Sequence, residues 1–194
     1  MEKSQKISKA QVRGIVICSV LFVLLCLNVL MIFSFSGESR EESGNRSEGV
    51  TEKIVKILYS DYDEMTEERQ QELIHQFHRP IRKLAHFSEF GLLGMLSCGV
   101  MLSTGVFKNK YRFLRCLIPI VFCLVCAAGD EIFQIFTHRG ASAVDACIDF
   151  AGSLVGNGVV WLLAYLVARR KAKGNIRANE RGEGETVCES QDTV

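Results

Sequence analysis

Several ionisable or polar groups lie in or beside apolar runs long enough to span a bilayer: His86, Glu89, Asp130, Glu131, Gln134, Arg139, Asp145 and Asp149. Arg82 and Lys83 stand just ahead of the first of them. Charged side chains at membrane depth are costly, so where they occur they are usually paired, turned inward and functional. The residue types define three kinds of chemistry. His86, Glu89, Asp130 and Glu131 are of the kind that move protons in catalysis. Several carboxylates together can hold a divalent cation through oxygen. Arg82, Lys83 and Arg139 can hold an anionic group, with Gln134, Asp145 and Asp149 adding polar contacts for a ligand. An unpaired ion in low dielectric tends to neutralise, so at least one of the acids is expected to be protonated, paired with an arginine or bound to a cation.

Spacing sorts these groups onto helix faces, because residues three and four apart are neighbours on a helix. Arg82, His86 and Glu89 fall within an arc of about 60° at roughly 100° per residue. Asp145, Asp149, Gly152 and Gly156 repeat at four, three and four. That stripe places two acids above a Gly-x-x-x-Gly seam, and small residues let helix backbones approach closely in lipid. The seam is expected to pack its helix against a neighbour and bring the acids toward the others. Asp130 aligns with Gln134, while Glu131 turns about a quarter circle away, toward another helix or the lipid headgroups.

The elements that must position these residues follow from the apolar blocks. Gly14 to Phe35 is an uncharged run that reads as a first transmembrane helix, since about 20 apolar residues cross a bilayer. Ser34 and Ser36 imitate a signal-peptide cleavage site, but the apolar region exceeds the usual length of roughly 7–15 residues, which favours an uncleaved span. The polar segment 36–80 begins with a composition that should stay loose, and then shows helical spacing at Val50, Ile54, Ile57 and Leu58 and again at Leu73, Ile74 and Phe77. Two short amphipathic helices are expected there, with Pro80 suited to the first turn of the next helix. The second span covers about 84–107, the third about 116–136 with Pro119 as a kink, and the fourth about 143–168. The tail from Gly174 onward looks disordered. The expected fold is all-α, an integral membrane bundle of four transmembrane helices, with a cytoplasmic basic start (1–13), an extracellular polar segment (36–80), a membrane domain (81–168) and a cytoplasmic tail (169–194).

Lys and Arg set the orientation, because positive loops stay cytoplasmic. The amino terminus has four, the loop 107–115 four and the tail six, whereas segment 36–83 has eight diluted by eleven acids. Both termini are therefore expected in the cytoplasm of a multi-pass protein of the cell membrane. With that alternation His86 and Glu89 open an inward-running helix, Asp130 to Gln134 close an outward-running one, and Asp145 and Asp149 open the next. Residues spread over more than sixty positions thus converge on one side, expected to be the outer one.

Other classes have less support. The basic residues flank membrane spans, where topology accounts for them, so nucleic acid is not an expected partner. The eight cysteines do not form a disulfide framework. Cys123 and Cys126 make a C-x-x-C inside an apolar run, where Cys usually behaves as a small hydrophobe. No cofactor is expected and no metal ligands are assigned. A transporter is a third and weaker reading, since four spans without an internal repeat lack the inverted symmetry common in such folds, although oligomerisation could supply it.

Taken together, Arg82-Lys83-Leu84-Ala85-His86-Phe87-Ser88-Glu89-Phe90 with Leu92-Leu93-Gly94, then Asp130-Glu131-Ile132-Phe133-Gln134-Ile135-Phe136 with Arg139-Gly140 and Asp145, then Asp149-Phe150-Ala151-Gly152 with Gly156, resemble the VanZ-like family of bacterial membrane proteins. The resemblance covers about 81–166, with His138 where the family usually has Pro before Arg-Gly. It implies a multi-helix protein of the cell envelope and, from the family's namesake, a contribution to resistance against the lipoglycopeptide teicoplanin. The leading expectation is a module whose outward cluster binds a membrane lipid headgroup, peptidoglycan precursor or other envelope component, altering access of a lipoglycopeptide. The alternative is a membrane-embedded hydrolase or transferase acting on a lipid-linked substrate at the outer leaflet, with His86 or Glu89 as base and the acids holding a divalent metal.

Overall fold

The computed structural model describes residues 8–104, 112–137 and 142–189. Helices α1 (Lys9–Ser36), α2 (Arg40–Leu58), α3 (Glu67–Ser103), α4 (Arg112–Phe136) and α5 (Ala143–Glu189) follow in order, with a 3-10 turn at Tyr62–Glu64. Among the described residues there is no strand. Four helices are long and apolar enough to cross a membrane, within Gln11–Ser36, Glu67–Ser103, Phe113–Phe136 and Ala143–Ile176. The chain forms two compact units, Met1–Asn157 and Gly158–Val194. The first holds α1 to α4 and the start of α5, and with them every site residue.

Distribution of polarity in the first unit is that of a membrane protein. Ile15, Val16, Val23 and Leu30 of α1 and Val125, Ile132 and Ile135 of α4 are exposed, whereas Asn28, Ser36, Asp130, Gln134, Asp149, Ser153 and Asn157 are buried. Lipid rewards this inversion, because an apolar side chain loses nothing by facing hydrocarbon while a polar one must find its partners inside. The apolar interior joins Leu25 and Ile32 of α1, Phe90, Leu93 and Leu96 of α3, and Cys123, Cys126 and Ala127 of α4. Both cysteines of the C-x-x-C motif thus serve as core side chains.

Glycines set the approach of α5 to α3. A Cβ added to Gly152 would run into the backbone of Phe87, one on Gly156 into the backbone of Gly91, and one on Gly94 into the backbone of Ser153, each closer than real atoms pack. Both helices therefore supply small residues to one seam, and only a hydrogen fits at these three crossings. Gly152 and Gly156 pack as their spacing indicates; Gly94, from the opposite side, completes the contact.

The polar segment departs from its expected course. The stretch after Ser36 is helical from Arg40 onward, because two local devices start it. The Ser39 hydroxyl accepts from the Glu42 N–H at 3.2 Å and the Glu42 carboxylate accepts from the Ser39 N–H at 3.1 Å, a capping box. Arg46 pairs with Glu38 and lies 4.8 Å above the Phe35 ring. The second amphipathic helix is not separate; it is the first part of the 37-residue α3, capped by Thr66. Pro80 accordingly sits inside α3 rather than at its start. It lacks one helical hydrogen bond there, and packing on both sides of it carries the helix through. Val55 of α2, Tyr62 of the 3-10 turn and Leu73 of α3 form a second apolar cluster, with Tyr59, Met65 and Phe77 against it. Leu73→Ala is expected to cost about 2–5 kcal/mol, read as faster amide exchange through residues 40–58 while α4 is unchanged. Equal exchange in variant and parent would show that α2 does not depend on this cluster.

In the second unit the chain after Gly174, expected to be irregular, is helical as far as Glu189. No proline interrupts α5, and each residue added to an existing helix gains one hydrogen bond without a new nucleation cost.

Candidate functional site

Three helices deliver the charged groups to one end of the bundle. α3 carries Arg79, Arg82, Lys83, His86 and Glu89 over its middle turns; α4 carries Asp130, Glu131 and Gln134 in its last two turns; α5 carries Asp145 and Asp149 in its first two. The antiparallel course of consecutive spans, together with the glycine seam, puts these levels beside each other.

Asp130 is the centre of the network and is fully buried. The Ser36 hydroxyl at the end of α1 donates to its Oδ1, and the Gln134 amide donates to Oδ2 at 2.7 Å. Thr137 Oγ1 donates to the Ser36 carbonyl at 3.2 Å, a further tie between α1 and the end of α4. Glu131, also buried, accepts from the Ser142 backbone N–H through Oε2 at 2.7 Å, so it holds the chain just before α5. Ser142 in turn caps that helix, its hydroxyl 3.4 Å from the Asp145 N–H. Lys83 Nζ pairs with Asp145 Oδ1 at 3.4 Å, and His86 Nδ1 stands 4.0 Å from Glu89 Oε2 on the same helix face.

Asp149 lacks such a partner on one of its oxygens: it is 1% exposed, yet its Oδ1 has no hydrogen-bond partner among the described residues. Glu131 Oε1 is in the same condition, and so is Asp145 Oδ1, which has the Lys83 ion pair but no hydrogen bond. One ligand atom from each of His86, Asp130 and Asp149 lies within 4.8 Å of the other two.

Two cavities meet at this cluster. One, of about 320 Å³, is lined by Arg79, Arg82, Lys83 and His86 on one side and by Gln134, Ser142, Asp145 and Asp149 on the other. The second, of about 280 Å³, has an apolar wall of Phe35, Val50, Ile81 and Ala85, and Arg46 and Glu89 among its polar residues. Arg82 and His86 line both. A cationic, polar chamber therefore adjoins a largely apolar one through two shared side chains.

Of the residues singled out by spacing, Arg82, Lys83, His86, Gln134, Asp145 and Asp149 surround the first cavity. Asp130 and Glu131 lie behind it as buried supports, and Glu89 opens into the second cavity instead. Arg139 lies outside the described residues. Three participants were not anticipated. Arg79 is one turn before Lys83, and the i, i+4 rule would have found it. Ser142 had the signal of a capping serine directly before a helix. Ser36 had none, because nothing local relates the end of α1 to a carboxylate 94 positions later.

The family model described as VanZ/LLP1 matches residues 20–164, from within α1 to within α5. That span begins well before the Arg82 motif and takes in α2 and Ser36. No curated protein and no solved structure matches the chain.

Proposed function

The chain belongs to the VanZ/LLP1 family of membrane proteins, and from that premise we propose that its charged cluster recognises an amphiphile of the cell envelope with an anionic, phosphate-bearing headgroup. The observation that carries this reading is the pair of neighbouring cavities with Arg82 and His86 in the walls of both. A polar chamber faced by Arg79, Arg82 and Lys83 suits an anionic head, and the apolar chamber behind Arg82 and His86 suits the first part of a hydrocarbon tail. Arginine is apt for the task, since its planar fork binds phosphate oxygens in pairs. The acids on the opposite wall fix the cations when the site is empty, as Asp145 does for Lys83. They also offer acceptors to hydroxyl or amine groups on the headgroup.

The distribution of Lys and Arg along the sequence supports reading this end of the bundle as the outer face, where a lipid-linked envelope precursor would be met. Occupancy of such a lipid would change how a lipoglycopeptide such as teicoplanin reaches its target. No reaction is required for that effect.

The test is lipid binding by the purified full chain in nanodiscs made with phosphatidylglycerol or with phosphatidylcholine alone. Retention of the anionic lipid through purification, counted by mass spectrometry, is expected in the parent. A combined Arg82→Gln, Lys83→Gln variant is expected to lose it by at least tenfold, since two charge-assisted contacts at about 1.5–3 kcal/mol each are removed. Equal retention of both lipids, or no change in the variant, would end this reading.

A further inference from the structure

The sequence suggested a divalent cation among the acids only in general and assigned no ligands, because the three residues concerned lie on three different helices and at no ligand-like spacing. The fold joins them. We infer that His86 of α3, Asp130 of α4 and Asp149 of α5 form a binding site for one divalent metal ion of the zinc or manganese type, opening into the polar cavity.

Four features support this. First, donor atoms of an imidazole and two carboxylates lie within 4.8 Å of one another, a separation that small side-chain rotations close to bonding range. Second, Asp149 is 1% exposed, lines the cavity, and leaves Oδ1 with no hydrogen-bond partner among the described residues. A buried carboxylate oxygen without a donor is a large expense for the fold unless a cation or proton meets it. Third, Lys83, which lines the same cavity, is engaged elsewhere, since its Nζ pairs with Asp145 Oδ1 at 3.4 Å. Fourth, Asp130 is held on both oxygens, by the Ser36 hydroxyl and by the Gln134 amide. Outer donors of this kind orient metal-ligating carboxylates, and each oxygen keeps a lone pair for the ion.

The donor set selects the ion. Imidazole favours zinc and related first-row metals, while carboxylates extend the choice to manganese; calcium and magnesium, which prefer all-oxygen surroundings, should bind more weakly. Three protein ligands also leave a coordination position open toward the cavity, the arrangement found where a metal meets an exchangeable ligand. A headgroup phosphate oxygen could take that position; this last point alone rests on the lipid reading, and metal binding by the three residues does not.

The experiment uses the full chain in detergent, stripped with chelator, desalted, and titrated with zinc, manganese or magnesium without added lipid. Bound metal is counted by elemental analysis and thermal unfolding is followed in parallel. One equivalent of zinc or manganese is expected, with a raised Tm. His86→Gln and Asp149→Asn should each weaken binding at least tenfold, while Asp145→Asn, which loses only the Lys83 pair, keeps one equivalent. Asp149→Asn should unfold in the metal-free state no lower than the parent, since it relieves the unpartnered carboxylate, and His86→Gln serves as the independent variant if it does not fold. No bound zinc or manganese in the parent, or undiminished binding in both His86→Gln and Asp149→Asn, would overturn the site. The Arg82→Gln, Lys83→Gln variant should keep the metal and lose the lipid, so the two readings fail separately.

Discussion

Gly156→Leu is expected to prevent the native packing of α5 on α3, the largest effect of any single substitution in the bundle. Gly156 lies against the backbone of Gly91, with the Met95 N–H also close to the place a Cβ would take. Overpacking an ordinary core costs about 1–3 kcal/mol because neighbouring side chains can shift. Backbone cannot shift in that way, so the helices must separate, and the loss should exceed the upper end of that range. Separation also carries Asp149, two turns away on α5, out of reach of Asp130 and His86. Gly158→Leu is the matched control, since nothing lies within 4 Å of a Cβ there. Monodisperse elution and Tm in detergent measure both variants. Folding of Gly156→Leu with parental stability would mean that the glycine seam does not set the helix approach.

Asp130→Ala is expected to be the second most damaging change. It strands the Ser36 hydroxyl, whose bond to Asp130 ties α1 to α4, and the Gln134 amide one turn along α4. Each buried polar group left without a partner costs about 1–3 kcal/mol, so the total should reach several kcal/mol, with α1 loosened most. Asp130→Asn separates the polar from the ionic contribution. Its amide oxygen can still accept from Ser36 or Gln134, so it should fold far better than the alanine variant while losing a negative ligand from the metal site. The expected stability order is therefore asparagine well above alanine, measured by Tm and by amide exchange through α1. Equal stability of alanine variant and parent would show that the buried network contributes nothing to the bundle.

Individual residues show how far the chain could be read without its fold. The four spans were legible because lipid imposes a simple condition: about 20 apolar residues in succession, with every backbone group bonded within the helix. The pairing of Asp130 with Gln134 was legible because it is an i, i+4 relation on one helix. Gly152 and Gly156 were legible as a packing stripe for the same reason. The helical start of α2 was missed because a run rich in Ser, Gly, Glu and Arg has the composition of a loose chain. Its capping box at Ser39 and Glu42, which does show in the sequence, outweighs that composition only once Val55 has Leu73 and Tyr62 to pack against. Pro80 was misplaced because its local preference for a first turn yielded to a helix already capped at Thr66 and packed beyond it.

Sequence alone determined the helical membrane class, the family resemblance, and which side chains had to find shelter from lipid, since each depends on the order of residues along one helix. Tertiary structure decided the rest: that Ser36 meets Asp130, that Glu89 opens to the apolar chamber while Arg82 and His86 border both, and that His86, Asp130 and Asp149 converge around an unpartnered oxygen. The physical reason is that these are relations between helices. They depend on how closely glycines let backbones approach and on the register in which the helices settle, and neither is encoded in the spacing within any one of them.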